Sequence, residues 1–434
     1  MEIEQGRELS KVLASLKEAY ALSNPRSLQQ HRQACLSMPG GNTRTTLHHQ
    51  PFPLYFKSGS GACLVDLDDH VYTDFLGEYT AGIFGHTNSH IASTLHDVIG
   101  QGLSLGGNNL YEKEFAEALC NRFPAIELVR FTNSGTEANL MAIGTARNYT
   151  SKNKVLVFNG SYHGGVLSFT YPSRLNVPFD ILISEYNNID NAYAMLREHE
   201  DDLAAVIVEP VMSSAGCIPG TKEFLQFLRD ETIRRKIVLI FDEVVTSRLG
   251  ASGVHGDIEV YPDVLTLGKF LGGGLSIGAF GGKTDIMDMF DPRKENFLRH
   301  SGTFNNNTLA MAVGCAAIRD IYTPERANEL NALGEEVRGE LNNVVRKSQL
   351  PMQFTGVGSI MNVHMMKNVI SRPEDLIGAS GALKELYYFY LLSKGIYTAY
   401  RGMVNLSLET KEKECAQLVA ETRNFVREFD GILI

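Results

Sequence analysis

The chain has 434 residues, 44% hydrophobic and 21% charged, with a formal net charge of −10. That length holds two or three domains around a large core, and the composition is that of an ordinary globular protein, not a disordered or fibrous one. The acidic balance, with no basic block, argues against a nucleic-acid partner, and the six scattered cysteines, with no CxxC, argue against a disulfide framework or a zinc-thiolate site.

Residues 4–22 predict a helix with Leu9, Val12, Leu13 and Leu16 on one stripe. The N-terminus is charged throughout and no run of about 18 apolar residues occurs, so no signal peptide and no membrane span are expected and the protein reads as cytoplasmic. The sequon Asn148-Tyr149-Thr150 is then without consequence. Residues 37–60, rich in Gly, Pro and Thr, predict a loop, and 62–66 with 70–76 a hairpin. Short apolar runs follow at 129–132, 155–158, 181–184, 205–208, 238–241, 264–267 and 277–280, separated mostly by helix-length segments such as 221–236. Continuous apolar strands alternating with helices predict an α/β domain whose mostly parallel sheet is buried on both faces. The last two strands have too short a connection for a crossover and are expected to be antiparallel. Beyond about 325 an α+β texture takes over: helix 326–347, strand 354–365, helix 376–394, strands within 396–408 and helix 411–429. The expected organisation is an N-terminal segment, 1–60, packing with a small domain, 325–434, around a large domain, 61–324.

Several residues have the chemistry of a site, each with an ordinary alternative. Asp242 ends the strand IVLIFD, where α/β enzymes place their carboxylates, although a cap or turn would use the same residue. Lys269, in LTLGKFLGGG, follows an apolar strand; desolvation there would lower its pKa and free its amine for attack on a carbonyl, whereas an edge lysine would merely snorkel. Ser134, Gly135 and Thr136 open a helix after a strand, a phosphate-binding arrangement or a plain cap. Tyr162, in Tyr162-His163-Gly164, could stack on a planar cofactor or simply pack. His86 and His90 lack a third metal ligand, so no metal is expected. GGKT at 281–284 has Ile277 where a P-loop needs glycine.

The order SGTEA, YHG, EP (209–210), FDEV (241–244), LGK (267–269) and GTF (302–304), each near a strand end, resembles the class III aminotransferases of fold type I. The resemblance runs from about residue 37 to the C-terminus. It implies pyridoxal 5'-phosphate as cofactor, a large domain with a seven-stranded sheet, a small domain, and a homodimer with shared sites. By that resemblance Lys269 carries the cofactor as a Schiff base and moves the proton, and Asp242 sits at the pyridine nitrogen. Gly135 and Thr136 form the phosphate cup, Tyr162 stacks on the ring, Glu209 supports the Asp242 network, and Thr303 reaches the partner's phosphate.

Within the class, MPGGNTR (38–44), GEYTAGIFGH (77–86), YHGGVLSF (162–169), VPFD (177–180), DEVVTSR (242–248) and GTFNNNTLAM (302–311) look most like the aromatic β-amino acid aminotransferases, relatives of glutamate-1-semialdehyde aminomutase. The resemblance implies that Arg44, on the early loop, holds the β-amino acid carboxylate and that Arg401, on a C-terminal strand, holds the α-carboxylate of a 2-oxo acid such as 2-oxoglutarate or pyruvate; planar guanidinium forks suit carboxylates. Arg248 follows the family with no assigned role. An aminomutase-like enzyme is the alternative, although GGNTRTT lacks the aminomutase Val-Asn-Ser-Pro-Val-Arg run and the segment after His163 is shorter than its gating loop. A non-catalytic binding protein on the same scaffold is a further alternative, against which the retention of Lys269, Asp242 and the phosphate cup argues.

Overall fold

The computed structural model describes residues 2–170 and 173–430. Seven strands build the central sheet: β1 (Leu128–Thr132), β2 (Lys154–Phe158), β3 (Ile181–Ser184), β4 (Leu203–Val208), β5 (Val238–Asp242), β6 (Val264–Leu267) and β7 (Gly278–Gly282). Their order across the sheet is β1-β7-β6-β5-β4-β2-β3. Only β7 runs antiparallel, against both β6 and β1, as the short β6–β7 connection requires.

The continuous apolar runs are explained by burial on both faces. Leu156, Val206, Val208, Leu239, Phe241 and Leu265 join one core, while Val155, Val157, Ala205, Ile207, Val238 and Ile240 join another on the opposite side. Alternate residues of one strand therefore serve two apolar layers. Strand β7 is glycine-rich for a steric reason. A Cβ on Gly278 would lie 2.2 Å from the carbonyl oxygen of Ser134, so glycine lets the turn after β1 close onto the β6–β7 loop that carries Lys269.

Toward the C-terminus the structure departs from the sequence reading in two places. The run 354–365 is a hairpin, Gln353–Val357 with Ile360–His364, turned by Gly358 at φ +54°. The stretch 396–408 is divided: Ile396–Tyr397 joins the N-terminal sheet beside Val71–Asp74, and Met403–Asn405 joins Ile360–His364. Gly402, at φ +96°, makes the break, so Arg401 stands in a turn between two sheets and not on a strand. The predicted loop 37–60 also ends in a strand, Phe56–Ser60, paired with Cys63–Asp66. The N-terminal helix Glu2–Ser23 lies against Gly381–Ser393, where Lys17 pairs with Glu385 at 2.7 Å and Tyr20 meets the Phe389 ring at 5.3 Å. Among the described residues no helix is long and apolar enough to cross a membrane.

Candidate active site

The C-terminal ends of β1, β2, β4, β5 and β6 converge on one cavity of about 160 Å³, walled by Gly135, Thr136, Asn139, Tyr162, His163, Gly164, Glu209, Ser213, Ser214, Asp242, Val244, Val245 and Lys269. Residues spread over about a third of the chain, from Gly135 to Lys269, meet there because each follows a strand of the same sheet. Lys269 sits on the β6–β7 loop at φ +52°, a left-handed conformation for a residue with a side chain, which marks strain at a functional position. Burial draws its ammonium below the ordinary lysine range, while Asp242 and Glu209 oppose that shift and Arg401 adds to it.

Asp242 is 4% exposed. Its Oδ2 lies 2.8 Å from His163 Nδ1 and accepts from Asn139 Nδ2 at 2.7 Å; its Oδ1 accepts the Val244 amide at 3.0 Å. Asn139 is itself oriented by Thr266, whose hydroxyl donates to Oδ1 at 2.6 Å. The sequence reading missed His163, Asn139 and Thr266 as partners of Asp242. An asparagine four residues into a helix otherwise lined with Ala138 and Ala142 was the one available signal. Glu209 does not touch Asp242. It accepts the Tyr162 amide at 2.9 Å and the Ser213 hydroxyl at 3.2 Å, so it anchors the Tyr162 loop; burial pushes its carboxyl upward, with Asp242 adding to that and His163 opposing it.

The helix Gly135–Thr150 starts at the cavity. Ser134 is its N-cap, taking the Glu137 amide at 3.2 Å, which leaves the Gly135 and Thr136 amides as the first donors of a helix start. Two glycines keep this corner open: a Cβ on Gly164 would lie 2.4 Å from Thr136 Oγ1, and one on Gly135 2.7 Å from Val244. Tyr162, on the wall, remains 41% exposed. An amine, a carboxylate, an anion-binding helix start and an aromatic around one small cavity fit a phosphorylated pyridine aldehyde.

Four predicted residues lie off that wall: the cap Ser134, Arg44, Arg401 and Thr303. Arg44 is exposed and pairs with Glu78 at 2.8 Å. Arg401 makes no ion pair among the described residues, and its Nε is buried without a partner. Both guanidinium groups rest over the ring of Tyr79, Arg401 at 5.1 Å and Arg44 at 5.8 Å from its centroid. Thr303 is exposed, on a loop tied to the helix start by Asn305, which accepts from Asn133 at 3.0 Å.

The family model described as Aminotransferase class-III matches residues 45–407. The chain is a class III aminotransferase. A β-phenylalanine transaminase of Variovorax paradoxus is 44% identical to it over 419 residues, 96% of either chain. A glutamate-1-semialdehyde 2,1-aminomutase of Lachnoclostridium phytofermentans is 34% identical over 394 residues, 86% of this chain and 92% of that one. The solved structure of a β-phenylalanine aminotransferase from Variovorax paradoxus superposes with a TM-score of 0.95 at 43% identity, covering 97% of this chain and 98% of that one. This aminotransferase is therefore a fold type I, pyridoxal-phosphate-dependent enzyme.

Proposed function

We propose that this aminotransferase moves the amino group of a β-amino acid, such as β-phenylalanine, to a 2-oxo acid, with 2-oxoglutarate or pyruvate as acceptor, in two half-reactions at one site. The observation that carries the reading is the pair of arginines over one tyrosine ring, with Arg401 close enough to Lys269 to bear on its charge. Two successive acids hold their carboxylates at different distances from the reacting carbon, and two cations serve both geometries where one would not. The 44% identity to a β-phenylalanine transaminase supports it.

When bound, pyridoxal phosphate supplies a ring that accepts negative charge from the carbon that loses its proton. Lys269 would hold the cofactor covalently, and its Nζ would serve as the base that takes and returns that proton. Asp242 would keep the ring nitrogen protonated, its own carboxylate plane fixed by His163, Asn139 and the Val244 amide. Gly135 and Thr136, beside the Ser134 cap, would hold the phosphate, and Tyr162 would supply an aromatic face for the ring. We read the chain as a large domain, 61–324, and a small one, 325–434, with 1–60 packed on the latter through contacts such as Lys17–Glu385.

An amino-donor screen with 2-oxoglutarate and pyruvate tests the reaction; turnover of glutamate 1-semialdehyde with no acceptor, and of nothing else, would make the enzyme an aminomutase. The arginines give the sharper expectation. Arg401→Ala should mainly damage the half-reaction with the 2-oxo acid, by about 30- to 1000-fold in kcat/KM, the usual loss for a desolvated charged pair. Arg44→Ala should mainly damage the β-amino acid half-reaction, by roughly tenfold, since half-exposed charges are screened. Equal damage to both half-reactions from each variant would refute the division of labour.

A second copy of the chain completes the site in this reading. Leu103, Leu105, Leu110 and Phe304 are 47%, 56%, 79% and 61% exposed. The loops that carry them are tied together, the Thr308 amide and Asn307 Nδ2 both donating to the Leu103 carbonyl. Such an apolar patch beside Thr303 suits a self-complementary interface. Sedimentation is expected to find dimers or larger assemblies; a fully active monomer would remove Thr303 from the phosphate site.

A further inference from the structure

Arg248 is 1% exposed and heads the fully buried side chains by size. Burial pushes its guanidinium down to about 10, and among the described residues no carboxylate opposes this. Its donors go to backbone. Nη1 donates to the Thr80 carbonyl at 3.0 Å and Nη2 to the Leu406 carbonyl, while Nε has no partner. The Arg248 carbonyl in turn accepts from Tyr322 Oη at 2.6 Å and Asn331 Nδ2 at 2.9 Å. A buried cation held by carbonyls alone forfeits its hydration without a counter-ion, which is an expensive way to support a fold. The two carbonyls it joins give it another use.

Thr80 closes a turn in which φ is positive at four successive residues: Gly77 at 53°, Glu78 at 47°, Tyr79 at 52° and Thr80 at 83°. Residues with side chains avoid that region, so the turn persists only where its surroundings over-determine it. It is the turn that sets Glu78 against Arg44 and places the Tyr79 ring under both Arg44 and Arg401. Tyr79 is tethered further by its hydroxyl, which donates to the Thr46 carbonyl at 2.7 Å, next to Arg44. Leu406 follows the strand Met403–Asn405, just beyond the turn that carries Arg401. Asn405 Nδ2 donates to the Leu76 carbonyl at 2.6 Å, joining the same two segments from one side. Arg248 joins them from the other, and it stands on the short helical turn Thr246–Arg248 that directly follows the cavity residues Val244 and Val245.

We propose that Arg248 is a positioning residue for both substrate carboxylates: its planar fork holds the Gly77–Thr80 turn and the Arg401 segment at a fixed spacing, so that Arg44, Tyr79 and Arg401 act as one unit. The proposal rests on the two-arginine reading of the site. It differs from that reading in its signature, because losing Arg248 disturbs both acids together where losing either arginine disturbs mainly one. Lysine is no substitute, since one ammonium on a flexible stem does not offer two donors in a rigid plane.

The test uses holoenzymes carrying Arg248→Met and Arg248→Lys, with two unreactive carboxylates as probes. These are 3-phenylpropanoate, which is β-phenylalanine without its amine, and glutarate, which is 2-oxoglutarate without its ketone. Binding is read from the cofactor absorbance. In Arg248→Met both dissociation constants should rise together by about tenfold or more, as should KM for donor and acceptor, while kcat stays within about threefold, the pattern of lost binding without lost chemistry. Arg248→Lys should recover part of the loss. Amide exchange at Gly82, which donates to the Gly77 carbonyl at 2.8 Å, should accelerate in Arg248→Met with cofactor content unchanged. Probe binding within twofold of wild type, a fall in kcat with KM unchanged, or weakening of one probe alone would each overturn the proposal. So would the failure of both variants to accumulate as folded, cofactor-bound protein, which would make Arg248 a residue of the fold only. If the wild type binds glutarate but not 3-phenylpropanoate, the β-amino acid reading falls while the glutarate titration still decides Arg248. If it binds neither, both fall.

Discussion

Lys269→Ala is expected to yield a folded protein with no measurable transamination and no visible absorbance that borohydride removes. The strain at φ +52° is common to lysine and alanine, and the substitution removes a desolvated amine, so thermal stability should hold close to wild type. Loss of the proton-transferring amine alone costs on the order of 10²–10⁴-fold, and loss of covalent attachment adds to it. A small amine such as methylamine should restore part of the rate, because the cavity vacated by the side chain lies beside Asp242 and Tyr162. Mass spectrometry after borohydride reduction checks the assignment directly. A Lys269→Ala enzyme that still retains cofactor covalently, or still turns over, would move the reactive amine elsewhere.

Asp242→Asn is expected to lower kcat by on the order of 10²–10³-fold with KM for either acid changed little, since an electrostatic contact that strengthens as charge develops acts on the transition state. The structure adds a cost in stability. Both carboxylate oxygens serve donors: His163 Nδ1 is at 2.8 Å and Asn139 Nδ2 at 2.7 Å from Oδ2, and the Val244 amide at 3.0 Å from Oδ1. An asparagine amide must turn its own N–H groups toward one of them, and a buried unsatisfied donor costs about 1–3 kcal/mol. Steady-state kinetics and a melting curve separate the two effects. A variant that melts as the wild type does and changes only KM would place Asp242 in substrate binding.

The sheet was legible in the sequence because burial on both faces leaves short unbroken apolar runs, such as 238–241 and 205–208, between helix-length segments. Lys269 and Asp242 drew notice as polar residues that directly follow such runs, but their roles came from the family resemblance, since each alone had an ordinary alternative. Their surroundings were not legible, since the meeting of His163 and Asn139 on one carboxylate depends on how β2, β5 and the helix Gly135–Thr150 pack. Glu209 lay where the motif put it, yet its hydrogen bonds run to Tyr162 and Ser213 and not to Asp242. Arg401 was placed on a strand because 396–408 is mostly apolar, and a single left-handed residue, Gly402, redirects the chain between two sheets. The strand Phe56–Ser60 was hidden by its exposure and its glycine, which remove the apolar signal of an inward-facing run.

The strand order sets when this catalyst can come into being during synthesis. Strand β1 is at the sheet edge, and its one neighbour is β7, with Thr132 opposite Gly278. A ribosome that has released β1 through β6 has therefore made every strand of the parallel core, but β1 has no strand to pair with. Non-local pairing of this kind is slow and exposes apolar edges while it waits, so the phosphate cup is expected to assemble only once about two-thirds of the chain is made, after β7 has locked the first strand to the rest.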